Sequence, residues 1–374
     1  MPMPLRSVCR AADVENDPSR FIRPDFAGFE PYTPVQPLDV LAREIGLPIE
    51  QLAKLDANEN LYGPASEVRA AIDSADLHIY PDPGQYLLRE AIATYTGVKP
   101  EQVVAGAGAD DLIDILLRLV EPESVVVAPP SFGMYSFLAQ LCGSRTVEIS
   151  RGEGFALDLP AIAAAVKQGA RMIFVASPNN PTGNRVSDTE VEALCANDAL
   201  VVVDEAYIEF AGGSCVPLLS RWPNLVVLRT FSKWAALAGL RVGYALCHPS
   251  LAGPMMAIKQ PYNVNVAADV AARAAIEHRG TIMATVRCLV TERDRMVEQL
   301  RQFDWLTPHP SEANFVLFAV HGRPAGDVAR ALRQRGVLVR YYDRPELSGY
   351  IRISAGRPED TERLVKALRE VGAA

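Results

Sequence analysis

Residues 200–210 read LVVVDEAYIEF, and this stretch decides the fold. Leu200, Val201, Val202 and Val203 are four consecutive apolar residues with no polar alternation. Such a run suits a strand buried on both faces, the situation of a parallel sheet covered by helices. Asp204 follows at once, so its carboxylate is placed at the buried end of that strand. A buried carboxylate needs a cationic partner, because leaving water penalises an unpaired charge. A capping role for Asp204 in the following turn is the alternative, and it leaves Glu205 and Tyr207 unexplained.

Working outward, short β-rich apolar runs recur at 103–105, 124–128, 145–149, 172–176, 225–228 and 242–247, alternating with helical segments. This alternation predicts an α/β fold with a mostly parallel sheet covered on both faces. On the N-terminal side, 38–47, 66–75 and 86–95 carry helical patterns, and LDANENLYGP at 55–64 is turn-rich. The two prolines of IYPDPG at 79–84 exclude a continuous helix there. On the C-terminal side a long amphipathic helix is expected over 283–303, with charged positions at Arg287, Glu292, Arg293, Asp294 and Arg295. Strands at 314–319, 337–341 and 350–354 and helices at 326–335 and 358–371 then suit a smaller α+β domain. Residues 1–35 are rich in Pro, Arg and aromatics without a clear period. They are expected to form an N-terminal arm that docks through Phe21, Phe26, Phe29 and Tyr32. The expected division is therefore an arm over 1–35, a small domain from 36–66 with 283–374, and a large domain over 67–282.

Composition narrows the chemistry. With 374 residues, 49% hydrophobic and 22% charged, the chain has ordinary globular composition. A net charge of −8 excludes a general attraction to nucleic acid or anionic membranes, so any anion site must be local. The six cysteines are scattered with no C-x-x-C, and the five histidines form no H-E-x-x-H. That argues against a disulfide framework or a metal site and suits a reducing cytoplasm. No continuous apolar signal segment opens the chain, and no apolar run reaches the roughly 18 residues of a membrane span.

Four further stretches carry chemistry. VVAGAGADDLIDILLRL at 103–119 runs a strand through a Gly-Ala turn into a helix, whose open N–H groups form an anion cup. It is not a Walker loop, since no G-K-[ST] follows, and Asp111 occupies the place of the third glycine of a dinucleotide fingerprint. PPSFGMY at 129–135 puts Phe132 at a strand's C-terminal end, where it serves either as core or as a platform for a flat ring. ASPNNPTGN at 176–184 dictates a rigid loop whose Asn can donate to a ring oxygen. LRTFSKWAALAGLRVG at 228–243 places Lys233 just beyond a buried strand, where a desolvated amine can attack a carbonyl. Ser232 and Arg241 then offer a phosphate site. Taken together, the cup, the ring platform, the oxygen donor, a carboxylate for a pyridine nitrogen, the lysine and the second cation are the requirements of pyridoxal phosphate.

On LDANEN, YPDP, GADD, PSFGMY, SPNNPTG, DEAYIEF, the FSK and LAGLR segments, and VLVRYYDRPELSGYIRIS, the chain resembles fold-type I, class I/II aminotransferases. More narrowly it is similar to the histidinol-phosphate aminotransferase family. The resemblance runs from about residue 21 to the C-terminus, and implies a seven-stranded large domain with a smaller α+β domain. It implies pyridoxal 5'-phosphate as cofactor and Lys233 as the catalytic residue that joins the cofactor and moves the proton. Asp204 would pair with the ring nitrogen, Tyr207 and Asn180 with the ring oxygen, and Phe132 would stack on the ring. Ala109, Asp110, Ser232 and Arg241 would hold the phosphate, and Tyr80 would reach the phosphate in a neighbouring subunit of a homodimer. Arg352, Arg340, Asn58 and Tyr32 would bind substrate. The implied reaction is transfer of the amino group of L-histidinol phosphate to 2-oxoglutarate, with aromatic amino-acid transamination or phospho-amino-acid decarboxylation as alternatives on the same fold. Two departures stand out. Leu61 replaces the usual proline, which predicts a looser loop, and Trp234 beside the lysine predicts a reshaped pocket. A nicotinamide dehydrogenase lacks its third glycine here, and a DNA-binding regulator finds no room in the short arm.

Overall fold

The structure is a computed structural model that describes residues 17–26, 28, 29, 31 and 35–373. It forms two compact units, Met1–Pro34 and Val35–Ala374. The first contains two short 3-10 turns, Pro18–Phe21 and Pro24–Phe26, each opening on a proline whose fixed φ suits a first helical position. Phe26 and Phe29 pack at 5.2 Å within it. Tyr32 lies outside the described residues.

The second unit carries two sheets. The strands are β1 (Ala53–Leu55), β2 (Val103–Gly106), β3 (Ser124–Val127), β4 (Arg145–Glu148), β5 (Met172–Ala176), β6 (Leu200–Asp204) and β7 (Leu225–Thr230). They continue with β8 (Gly243–Cys247), β9 (Leu306–Pro308), β10 (Phe315–Val320), β11 (Val337–Tyr341) and β12 (Tyr350–Ser354). The larger sheet has seven strands in the order β2-β8-β7-β6-β5-β3-β4. Its strands β4, β3, β5, β6 and β7 are mutually parallel, and β8 runs antiparallel between β7 and β2. The smaller sheet has five strands, β1-β11-β12-β10-β9.

The uninterrupted apolar runs are explained by burial on both faces. Val201, Val203, Val227 and Ile173 enter one core, with Ile162, Val191, Ala271 and Val286 from the helices over it. Their sequence neighbours Val202, Val226, Phe174 and Met172 enter the other, with Leu112, Leu116, Tyr135 and Met255. Successive strand side chains point to opposite faces, so each strand needs two apolar sets. Local signals set several helix starts. Asp158 accepts from the Ala161 N–H, Asn265 from the Ala268 N–H, and Ser187 with Glu190 forms a capping box.

Some boundaries differ from expectation. The long helix is Arg279–Leu300, starting earlier than 283, because Ile282 belongs to the large sheet's core while Met296 and Leu300 pack under the small sheet. The same helix therefore spans both cores. Ala53–Leu55 is a strand, paired in parallel with β11, because its three residues complete the edge of the small sheet. The loop after it, which carries Leu61, is held by hydrogen bonds. The Tyr62 N–H donates to Asn60 Oδ1 at 3.1 Å, the Gly63 N–H to the Asn60 carbonyl at 3.2 Å, and Arg357 donates to the Leu61 carbonyl. Among the described residues no helix is long and apolar enough to cross a membrane, and no cluster of His, Cys, Asp and Glu could hold a metal ion.

Candidate active site

Side-chain alternation along β6 aims Asp204 toward the same face as Val202, at the strand's C-terminal end. The carboxylate is 5% exposed. Its Oδ2 accepts from the Tyr135 hydroxyl at 2.7 Å and its Oδ1 from the Ala206 N–H at 3.0 Å. Both donors are neutral, and among the described residues no cation pairs with it. Burial pushes the Asp204 carboxyl up to about 6, against the pull of those two hydrogen bonds. A buried carboxylate with no cationic partner among the described residues fits a cation such as a protonated pyridine nitrogen.

Lys233 sits in the turn after β7, with Nζ donating to the Ala57 carbonyl at 3.1 Å and lying 5.7 Å from the Tyr207 ring. Burial, with Arg352 next in weight, lowers its pKa to about 8. At that value about one lysine in ten is neutral at pH 7, against about one in three thousand for an ordinary lysine. Trp234 does not reshape the pocket. It is fully buried behind the lysine, stacked on Tyr95 at 5.6 Å and tilted against Phe231 at 5.7 Å. Its carbonyl accepts from Asn60 Nδ2 at 3.1 Å, so the residue anchors the lysine turn from the core side.

The anion cup forms where the helix Ala109–Val120 begins at Gly108. Gly108 has φ +90°, and a Cβ there would stand 2.7 Å from Arg241 Nη2. A Cβ on Gly243 would stand 2.9 Å from the Ala109 N. Backbone, helix end and guanidinium are therefore brought together as close as glycine permits. Arg241 also reaches Asp110 Oδ2 at 3.4 Å, and burial raises the Asp110 carboxyl despite Arg241 and Lys233. Ser232 is buried beside them, with Thr230 Oγ1 2.9 Å from its Oγ. We expect Gly108→Ala to weaken pyridoxal phosphate binding by about tenfold or more, since the new methyl displaces Arg241 and strains the backbone. Equilibrium dialysis of the cofactor checks this.

A second cationic region lies on the small sheet. Arg340 and Arg352 are directly opposed partners on β11 and β12. Arg352 is 5% exposed, donating to Asn180 Oδ1 at 2.6 Å and to the Asp56 carbonyl at 2.5 Å, while its buried Nε has no hydrogen-bond partner among the described residues. The Arg352 guanidinium lies 5.2 Å from the Phe315 ring and 5.9 Å from the Tyr342 ring, and that of Arg340 lies 5.4 Å from Tyr342. Asn58 is a strut: its Nδ2 donates to the Tyr207 hydroxyl at 3.0 Å and its Oδ1 accepts from the Ser354 hydroxyl at 2.8 Å. It is 1% exposed and ties the large-sheet turn to β12.

Hydrogen bonds join Asn58 to Tyr207 and Arg352 to Asn180, Lys233 lies 5.7 Å from the Tyr207 ring, and Asp110 and Arg241 meet at the cup. Phe132 stands beside them, meeting Tyr135 edge to face at 5.6 Å. Tyr80 is set apart: it is 80% exposed and stacks on Tyr262 at 4.7 Å. Sequence reasoning missed Tyr135, Asn60 and Tyr342. Tyr135 closes the stretch PPSFGMY three residues after Phe132, and its N–H lies 3.4 Å from the Phe132 carbonyl, so the two share one turn.

A family profile for aminotransferases of class I and II matches residues 50–368. Histidinol-phosphate aminotransferase of Roseiflexus castenholzii is 47% identical, over 94% of this chain and 98% of the relative. That of Dehalococcoides mccartyi is 44% identical, over 95% and 99%. Among solved structures, histidinol-phosphate aminotransferase from Sinorhizobium meliloti in complex with pyridoxal-5'-phosphate superposes with a TM-score of 0.82. It is 29% identical and covers 92% of this chain and 98% of its own. The chain belongs to the class I and II aminotransferases and, within them, to the histidinol-phosphate aminotransferase family.

Proposed function

We propose that this enzyme transfers the amino group of L-histidinol phosphate to 2-oxoglutarate, giving imidazole acetol phosphate and L-glutamate in histidine biosynthesis. The observation that carries the substrate reading is the opposed pair Arg340 and Arg352, with the unpartnered Nε of Arg352. Like charges directly across a strand pair repel, so the arrangement favours a shared or adjacent anion. A guanidinium fork suits the phosphate of one substrate and the carboxylates of the other. Asn58 is assigned to hold the floor of the same end.

The cofactor is pyridoxal phosphate, whose ring when bound takes up the electron pair left as the substrate Cα–H bond breaks. Lys233 Nζ, neutral in a useful fraction near pH 7, would accept that proton from Cα and deliver it to C4′ of the cofactor, as general base and then acid. Asp204 would pair with the ring nitrogen, Tyr207 and Asn180 with the ring oxygen, and Phe132 would cover the ring face. Ala109, Asp110, Ser232 and Arg241 would hold the phosphate. The two substrates use one set of arginines in turn, so the reaction runs as two half-reactions.

The active unit is proposed to be a homodimer in which Tyr80 reaches the neighbouring subunit's cofactor phosphate. Support comes from the exposed apolar side chains Leu77, Ile79, Tyr80, Tyr86, Leu87 and Tyr262, an unusual concentration for a free surface. The domain assignment is 36–66 with 283–374 for the small domain and 67–282 for the large, supported by sheet membership. The scattered cysteines, with no C-x-x-C, suit a reducing cytoplasm.

A half-reaction screen tests the reading. Pyridoxal-form enzyme is mixed separately with histidinol phosphate, phenylalanine, tyrosine and glutamate, and the spectrum followed. Rapid conversion to the pyridoxamine form is expected with histidinol phosphate and glutamate. Preference for phenylalanine or tyrosine, or CO₂ release without 2-oxoglutarate, would overturn it.

A further inference from the structure

We propose that Tyr135 is a positioning residue for the cofactor ring, orienting Asp204 through its hydroxyl and Phe132 through its own ring. The proposal rests on the reading that Asp204 faces the ring nitrogen.

Tyr135 is fully buried on the helix Met134–Leu141, and three contacts fix its phenol. It stacks on Phe174 of β5 at 5.3 Å with 7° between the planes, and meets Phe132 at 5.6 Å and 85°. Its hydroxyl lies 2.7 Å from Asp204 Oδ2. One side chain therefore touches both the carboxylate aimed at the edge of the ring and the aromatic residue aimed at its face. The carboxylate receives one donor on each oxygen, from Tyr135 and from the Ala206 N–H, and keeps lone pairs for a third. In an apolar setting that includes Phe174, Ala176 and Val202, rotation of the carboxylate would strand an acceptor.

The same hydroxyl favours the charged form of the carboxylate. Desolvation raises the Asp204 carboxyl, and Asp110 and Glu205 push the same way, while Tyr135 and the Ala206 amide oppose them. The titratable groups facing this pair are Asp110 at the start of its helix, Glu205 and Tyr207 beside Asp204, and Arg151 beside Tyr135. Lys233 and Arg241 act on Asp110 from the cup. Of all these, only Tyr135 offers Asp204 a side-chain hydrogen bond.

The test is Tyr135→Phe in the holoenzyme, which keeps the ring and removes only the hydroxyl. Cofactor dissociation is measured by dialysis between pH 5 and 9, alongside the unfolding midpoint of the cofactor-free protein. The dissociation constant is expected to rise about ten- to hundredfold at neutral pH, the range for a hydrogen bond to a charged group. Loss of a donor favours the protonated carboxyl, so the pH below which binding weakens should move upward. A packing defect alone would raise the constant equally at every pH and lower the midpoint, and that result overturns the proposal. So does an unchanged constant and pH profile. Asp204→Asn run in parallel separates the two levels. If it too leaves binding and pH profile unchanged, the assignment of Asp204 has failed; if it changes both while Tyr135→Phe changes neither, only Tyr135's role has failed.

Discussion

Lys233→Ala is expected to abolish amino transfer, lowering kcat by at least about 10⁴-fold, since it removes a nucleophile and the general base together. The substitution removes an amine that half-buried surroundings hold in place through the Ala57 carbonyl, 3.1 Å away. Asp204, Arg241 and Ser232 remain, so the variant should still bind pyridoxal phosphate while losing the visible absorbance of the lysine-linked cofactor. Single-turnover kinetics with histidinol phosphate measure the first effect and absorbance spectra the second. A variant that kept the wild-type rate would remove Lys233 from the chemistry. In the unsubstituted protein, the lysine's pKa of about 8 predicts that cofactor loading accelerates with pH and levels off above about 8. The sign follows because only the neutral amine attacks a carbonyl.

The second large effect is Asp204→Asn, expected to lower kcat by about 10²- to 10³-fold through loss of a buried charge partner. It should also stabilise the cofactor-free protein at neutral pH. The folded-state pKa of Asp204, raised to about 6 from an ordinary 3.8, means that the folded state holds its proton more tightly than the unfolded state. Stability contributed by this group therefore falls as pH rises from about 4 to 6, and the cost is fully present above that window. The gain from Asn at pH 7 should be on the order of 3 kcal/mol, vanishing near pH 3. Urea unfolding of both cofactor-free proteins across that range gives the comparison. A variant less stable than the parent at pH 7 would mean that Asp204 is compensated in the folded chain.

Much of this arrangement was legible in the chain itself. A run such as Leu200–Asp204 has only one comfortable location, a central strand covered on both faces, and that places Asp204 at the strand end. Lys233, Ser232 and Arg241 lie close together in sequence around one turn, so their proximity needed no knowledge of the rest of the fold. The glycines at 106 and 108 and the acidic helix start marked the cup, because that close approach requires the absence of a Cβ.

What the chain alone left open depends on contacts between distant residues. Trp234 adjoins the lysine in sequence, yet it faces Tyr95 and Phe231 in the core, because the turn after β7 sends neighbouring side chains in different directions. Asn58 has the chemistry of a substrate ligand, but only the packing of the small sheet brings Ser354 and Tyr207 to its two ends. Tyr135 looks like any buried aromatic until β5 and β6 lie side by side and Asp204 arrives at its hydroxyl. Residue type and short-range periodicity therefore determined the fold class, the cofactor chemistry and the placement of Lys233 just past a buried strand. The partners of the buried polar groups were decided only by tertiary packing, since a buried group can pair only with what the fold brings beside it.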